Sequence, residues 1–372
     1  MKRIGIDIRK LEDFGIGTYI ENLVKNLSLL DRENEYRLFC RRARPPGLSG
    51  LGPNFGFVHD ASPGYSLREH ISLPIKARRE KLDLFHSPHY VLPFFLPCPA
   101  VATVHDVIHL RFPEYLPGLL AKHYARFFIG RAVSRAARVI TSTESAKNDL
   151  MEIFKTPGEK IAVIPCAVDE SFLRERTTEE KNAVRRRYGL DFPFVLYAGN
   201  FKRHKNLERL LQAFDMLRRN ERFRTVRLVL IGGTFEATPF LAAERERLRL
   251  GDAVRCLGKV PSEEVPAIFQ MASAFAFPSL YEGFGLPPLE ALASGVPVLT
   301  SNVSSLPEVV GDAALLVDPT NVDEISEGLR TLLEDETLRD KLIPRGKERA
   351  RLFSWKETAR RVLDVYTEID TL

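Results

Sequence analysis

The chain has 372 residues, 44% of them apolar, and a formal charge of +5, an ordinary soluble composition long enough to fill the cores of two domains. The charge suits a solvated surface, anionic lipid or an anionic ligand, and no basic block with interleaved aromatic residues argues for a nucleic-acid partner. Cys40, Cys98, Cys166 and Cys256 are scattered with no C-x-x-C spacing, which argues against a zinc site or a disulfide framework and for a reduced, cytoplasmic setting.

The N-terminal MKRIGIDIRK reads as a strand rather than a signal peptide, because no apolar run of the required length follows its basic residues. The longest apolar run, Tyr90 to Val104, is broken by Pro93, Pro97 and Pro99 and is too short to span a bilayer. Any membrane contact is therefore peripheral, at the inner face. After a strand at Arg3 to Ile8, the loop Phe14-Gly15-Ile16-Gly17-Thr18 leads into an amphipathic helix from about Tyr19 to Leu30. Gly15 and Gly17 serve either a tight turn or close approach of backbone to a ligand. The spacing is not G-x-G-x-x-G, so nicotinamide binding is poorly supported.

Strands follow at Tyr36 to Cys40, Phe55 to His59, Leu82 to His86 and Ala100 to His105. Their alternation with helical segments predicts a parallel, doubly wound sheet. The segment Arg41 to Pro53, rich in Arg, Pro and Gly, reads as a mobile loop. Strand Val101 to Val104 delivers His105 and Asp106 to the carboxyl edge, where open α/β sheets bind ligands. A histidine there can bond a sugar hydroxyl or stabilise charge; without a partner at metal spacing, His105 and His109 do not read as metal ligands. Leu67 to Lys81 is basic and apolar together and suits a solvated helix face or a lipid surface, whereas in the helical segment Leu116 to Val139 Lys122 and Arg126 lie roughly opposite Arg131, Arg135 and Arg138, which makes no single amphipathic stripe and favours a solvated face over a lipid surface.

Strand Val139 to Ser142, helix Glu144 to Phe154 and strand Lys160 to Ile164 complete a first domain over 1–172. The charged stretch Asp169 to Arg187 reads as the linker. A second domain over 190–354 repeats the strand-helix order, without a visible sequence repeat, through PFVLYAGNF, VRLVLIGG, AVRCLGKV and SAFAFPSL to VPVLT. Behind its first strand come Asn200, Lys202, Arg203 and Lys205, cations at a strand-to-helix junction that suit a diphosphate. Helices are expected at Val322 to Leu333 and about Trp355 to Ile369.

Within the second domain, strand Ala274 to Leu280 ends in a glycine-bracketed loop, and Pro287 and Pro288 open a helix that stops at Ser294-Gly295. Gly283, Phe284, Gly285 and Leu286 thus bring backbone N–H groups and a helix N-terminus to one spot, which attracts a phosphate or diphosphate. Glu282 and Glu290 frame that spot. Carboxylates beside an anion cradle are better placed to hold sugar hydroxyls than to neutralise the anion.

Glu282-x7-Glu290 within SLYEGFGLPPLEALASGVPV, followed by SLPEVVGDAALLVDP, resembles the donor-binding signature of the family 4 (group 1) retaining glycosyltransferases. The resemblance extends through GIGTY, HDVIHLRFPEY, VIPCAVD and GNFKRHKN. It implies the GT-B arrangement, an α/β fold of two Rossmann-like doubly wound domains facing a cleft, with the acceptor mainly on the first domain and a nucleotide-sugar donor mainly on the second. It also implies that the last helix, 355–372, crosses back to complete the first domain. Transfer of a hexosyl group, mannosyl or glucosyl, with retention is then expected, to a glycan or lipid-linked acceptor of surface polysaccharide synthesis, without cofactor or metal. By the same resemblance His105 and Glu282 act on the transferred sugar, Asp106 orients the His105 ring, Gly15 and Gly17 face the donor phosphates and acceptor, and Glu290 binds the ribose. Lys205 matches the family's lysine, whereas Asn200 stands where many members have arginine, leaving Arg203 or Lys202 as the second cation. Rival readings on the same architecture are a sugar-nucleotide epimerase, a glycan phosphorylase for which no pyridoxal phosphate lysine motif is present, and a donor-binding subunit without catalysis.

Overall fold

The structure, a computed structural model, describes residues 1–13, 15–42, 45, 47–115 and 118–369, with backbone alone for 119 and 120. Phe14 in the glycine-bearing loop, the start of the expected basic helix at Leu116, and part of the expected loop at 41–53 lie outside the described residues. The chain divides into two units, one made of 1–166 with 354–372 and the other of 167–353.

The first unit is built on seven strands among the described residues: β1 (Arg3–Asp7), β2 (Glu35–Cys40), β3 (Phe55–His59), β4 (Leu84–Ser87), β5 (Ala100–Thr103), β6 (Arg138–Thr141) and β7 (Ile161–Val163). They pair in the order β3-β2-β1-β4-β5-β6-β7, every ladder parallel. The order reverses between β1 and β4, whose register sets Ile4 beside Leu84 and Ile6 beside His86. The helix Trp355–Glu368 packs against helix Ile16–Leu30 in this unit. Its Tyr366 hydroxyl sits 2.6 Å from His86 Nδ1, whose Nε2 lies 2.8 Å from Thr103 Oγ1. A polar chain through the core therefore fixes the last helix to β4 and β5, since buried polar atoms need partners.

The second unit carries β8 (Phe194–Ala198), β9 (Arg227–Ile231), β10 (Val254–Gly258), β11 (Ala274–Phe277), β12 (Val298–Ser301) and β13 (Leu315–Val317). Their order is β10-β9-β8-β11-β12-β13, again parallel, reversing between β8 and β11. Every residue of β8 and β11 is buried, as in strands covered by helices on both faces. That explains why FVLYA and AFAF are unbroken apolar runs.

The strand expected to reach Leu280 stops at Phe277, because Pro278 cannot donate to a ladder. The stretch Asp169 to Arg187, expected as a linker, folds within the second unit as helices Glu170–Leu173 and Thr178–Tyr188. The latter starts at a reciprocal cap between Thr177 and Glu180, and Asp169 caps the former through the Ser171 N–H. The basic segment expected from Leu116 to Val139 is helical over Leu119–Arg135 and gives way to β6 at Arg138.

Candidate active site

The two reversal points identify where each sheet can hold a ligand, since loops leaving adjacent strands in opposite directions open a crevice at the carboxyl edge. In the second unit these are the loops after β8 and β11. The loop after β8 turns through Arg203–Lys205 and ends at Asn206, held in the left-handed region at φ 62°. Asn206 is buried, and its Nδ2 donates to the carbonyls of Pro278 at 2.9 Å and Pro319 at 2.6 Å. The Leu280 N–H and the Ser279 hydroxyl both donate to the His204 carbonyl, at 2.8 and 3.1 Å. The two loops are thereby fastened to one another.

Their side chains meet. Lys205 Nζ lies 2.6 Å from Glu282 Oε1 and 2.9 Å from Oε2, with only about a tenth of either side chain exposed, and 5.1 Å from the centre of the Phe277 ring. A lysine expected to face a diphosphate and a glutamate expected to face the sugar are thus partners of one another. Arg203 goes elsewhere: its guanidinium stacks on Phe240 at 4.3 Å and stands 3.5 Å from Glu208. Lys202 is exposed and makes no ion pair among the described residues. Asn200 accepts the Tyr197 hydroxyl on its carbonyl and the Lys202 N–H on its side chain, so it shapes the loop.

After Glu282 the chain reaches Gly285 at φ 106°, where a Cβ would stand 2.7 Å from Leu306 Cδ2, so a side chain fits neither the backbone nor the space. Helix Leu286–Ala293 begins there without a side-chain cap. Pro287 and Pro288 have no N–H, so the donors at this end are those of the loop and of Leu286 rather than a full first turn. The positive end of the dipole still points at the loop. Two serines that the sequence reading did not assign hold this loop in shape. Ser304 Oγ accepts the Glu282 N–H at 3.0 Å, and Ser305 Oγ, buried, donates towards the carbonyls of Glu282 at 3.0 Å and Phe284 at 2.8 Å.

Glu290 projects one turn into the helix, half-buried, and its carboxylate has no hydrogen-bond partner among the described residues. Burial, and then the nearby Asp169 carboxylate, push its pKa up to about 7. A carboxylate so poised gains most from hydroxyl donors that replace lost water.

In the first unit, His105 stands just beyond β5, and the edge of its ring meets the Tyr19 ring at 4.8 Å, in the first turn of helix Ile16–Leu30. His105 Nε2 donates to the Pro88 carbonyl at 3.2 Å, which leaves Nδ1 as an acceptor in the neutral ring. Burial lowers its pKa and favours that neutral form, against the opposing pull of Asp106. Asp106 Oδ1 accepts the Ile108 N–H at 3.0 Å, and its carboxylate acts on the His105 ring through charge. Gly15 starts the Ile16–Leu30 helix at φ 68° with open space beside it. Gly17 serves the tight turn, since a Cβ there would lie 2.2 Å from the Leu11 carbonyl oxygen.

Comparison with known proteins agrees with this layout. The family model "Glycosyl transferases group 1" matches residues 179–349, and "Glycosyltransferase Family 4" matches residues 15–172. The O-antigen chain mannosyltransferase B of Escherichia coli is 32% identical over 98% of this chain and 93% of its own length. The chain belongs to the family 4, group 1 glycosyltransferases. The serotype-specific mannosyltransferase WbdA of Escherichia coli is 28% identical over 74% of this chain, which matches about a third (34%) of that longer protein. Among solved structures, Anabaena HepE in complex with UDP-glucose superposes with a TM-score of 0.80 over 99% of this chain and all of that one, at 16% identity. The fold is thus that of GT-B glycosyltransferases, with two Rossmann-like parallel sheets. Within this glycosyltransferase the loops after β8 and β11 carry Lys205 and Glu282, with Glu290 on the helix Leu286–Ala293 that follows, while His105, Gly15 and Gly17 stand at the carboxyl edge of the first sheet.

Proposed function

We propose that this glycosyltransferase moves a mannosyl or glucosyl group from a nucleoside diphosphate sugar, with retention, to a lipid-linked glycan of a surface polysaccharide. The single observation that carries the reading is the Lys205–Glu282 pair at the reversal point of the second sheet, beside an uncapped helix N-terminus. Mannose is favoured by the full-length similarity to an O-antigen mannosyltransferase. The donor class is supported by the fold shared with a protein solved with UDP-glucose, and retention by the family resemblance.

The chemistry follows from charge. An arriving diphosphate competes with Glu282 for Lys205, and one charge-assisted bond is exchanged for another, so the lysine is not stripped of an anion at any stage. Glu282 is then released towards the sugar, where a carboxylate favours the positive charge growing on the anomeric carbon. Lys205 and the N–H groups of Phe284 to Leu286 stabilise the negative charge growing on the departing diphosphate. Glu290 takes the ribose hydroxyls. His105, neutral, offers Nδ1 to a sugar hydroxyl. Asn200 supports the loop, while Lys202 is better placed than Arg203 to supply a second cation. An acceptor of this class lies at a membrane, met peripherally at the inner face.

Incubation with a panel of nucleotide sugars, including GDP-mannose and UDP-glucose, tests the reading through slow donor hydrolysis. One donor should be cleaved well above the others, with loss in Lys205→Ala. Absence of hydrolysis with every donor, or epimerised sugar in place of free sugar, overturns it.

A further inference from the structure

We infer that the amino edge of the second sheet holds a binding site for a diphosphate group, built from Arg218, Arg227 and Arg249 and separate from the loops after β8 and β11. The ladders of this sheet are parallel, so the segments that enter β8, β9 and β10 lie at the edge opposite the loops that carry Lys205 and Glu282. A five-residue strand such as β8 sets those edges about 16 Å apart. Between the entering segments is a cavity of about 770 Å³, within the size range of small-ligand sites. Arg218, Arg224, Arg227 and Arg249 bring guanidiniums to it, and Phe192 lies in its wall.

Arg224 pairs with Glu221 at 3.1 Å, whereas Arg218, Arg227 and Arg249 make no ion pair among the described residues. Arg218 ends helix Leu207–Arg218 and is fixed by a bond from Nη2 to the Arg224 carbonyl at 3.0 Å, while its buried Nε has no hydrogen-bond partner among the described residues. Arg227 lies with its guanidinium 4.4 Å from the centre of the Phe192 ring, and its Nη1 donates to the Asp252 carbonyl at 3.1 Å. Both side chains are held in place before a ligand arrives, which lowers the cost of binding. The half-buried charges of the wall are these two cations. Asp191 and Asp252 also line the cavity, but they are exposed, where water and salt screen them.

Arg249 is held there against its backbone preference. Helix Pro239–Arg247 closes with the Leu250 N–H donating to the Arg245 carbonyl at 3.1 Å and the Arg249 N–H to the Glu246 carbonyl at 2.9 Å. This cap puts Arg249 in the left-handed region at φ 53°, a position that glycine fills most readily. The strained residue is thus one whose side chain lines the cavity. A guanidinium stays protonated at neutral pH, and one fork satisfies one carboxylate. Three unpaired forks around one space match the several oxygens of a diphosphate, either free or carried by a nucleoside.

Calorimetric titration of the full chain with inorganic pyrophosphate at fixed ionic strength tests this, in the wild type and in Lys205→Ala, because the loops after β8 and β11 offer a second place for a diphosphate. Binding should persist in Lys205→Ala, and adding Arg218→Ser/Arg227→Ser should weaken it by about tenfold or more. Arg249→Gly separates binding from folding: it should keep or raise the melting temperature by relieving the backbone, yet weaken pyrophosphate binding about threefold or more. Parallel titrations with GDP and UDP distinguish the source, since tighter binding than pyrophosphate assigns the site to a nucleoside diphosphate and weaker binding to the free anion. None of these readouts needs turnover, so failure of the proposed catalysis would leave the site standing. A Lys205→Ala chain that binds no diphosphate, or binding that both Arg249→Gly and the Arg218/Arg227 variant leave unchanged, overturns the inference.

Discussion

Lys205 and Glu282, contributed by the loops after β8 and β11, form a two-oxygen ion pair at 2.6 and 2.9 Å with little solvent access. Removing one partner of such a pair leaves the other charge without compensation, which costs more than removing both. Lys205→Met should therefore lower the melting temperature more than Lys205→Met/Glu282→Gln, as read by thermal unfolding. Both variants should lose turnover, by about 2 to 4 kcal/mol in the barrier. A double variant no more stable than Lys205→Met would show that the pair is not coupled in the folded chain.

Ser305 tests whether the loop's shape matters beyond its charges. Its hydroxyl serves two carbonyls on either side of Gly283, and losing it leaves both under-satisfied in a buried place. Ser305→Ala should keep the fold, cost about 1 to 2 kcal/mol in stability, and lower kcat/KM by about tenfold through misplacement of the Glu282 carboxylate and neighbouring N–H groups. Equilibrium denaturation and steady-state kinetics check the two halves. Normal kinetics in a destabilised variant would make Ser305 a structural residue only.

How much of this was readable beforehand depends on whether the deciding interaction is local. The parallel strands were legible because unbroken apolar runs such as FVLYA and AFAF are what doubly covered strands require. Gly285, Pro287 and Pro288 marked the helix start through backbone limits that belong to each residue alone. The Lys205–Glu282 pair spans 77 positions, and Ser305 reaches back 21 to Phe284. No periodicity reports such contacts. Helix Glu336–Arg351 escaped for another reason: its sequence is highly charged and contains Pro344, so only the Asp335 cap at Leu338 signalled it. The bond from the Ile108 N–H to Asp106 is local, but a turn of this kind leaves no periodic mark in the sequence.

Two buried histidines make the first unit acid-sensitive. Burial lowers His70 to about 4 and His86 to about 3, so both stay neutral when folded while an unfolded chain protonates them below about 6.5. Between those values the unfolded state binds more protons, so stability falls as pH drops, with a limiting slope of about 1.4 kcal/mol per pH unit for each histidine. His86 also carries the bond to Tyr366, so its protonation loosens the helix Trp355–Glu368. Denaturant melts between pH 7 and 4 should show the decline, and His86→Gln should make it shallower. An unchanged slope in that variant would remove His86 from the account.

Glu282 and Glu290 should separate in kinetics and in pH dependence. Glu290, raised to about 7 by burial and Asp169, is partly protonated near neutrality before the donor binds. Ribose hydroxyls donate to a carboxylate, so the donor selects the ionised form and releases a proton on binding. Donor affinity should consequently fall as pH drops below about 7, and titration calorimetry in buffers of different ionisation enthalpy should register the released proton. Glu290→Gln should raise the donor KM and abolish that dependence, with kcat less affected, because the ribose bond is made about equally in the ground and transition states. Glu282→Gln should lower kcat, since its carboxylate acts on charge that appears only as the glycosidic bond breaks. Its effect on KM is opposed in sign, for a neutral partner holds Lys205 less tightly and leaves it readier for the diphosphate. A pH-independent donor affinity in the wild-type enzyme, or a kcat defect confined to Glu290→Gln, would reverse the assignment of the two carboxylates.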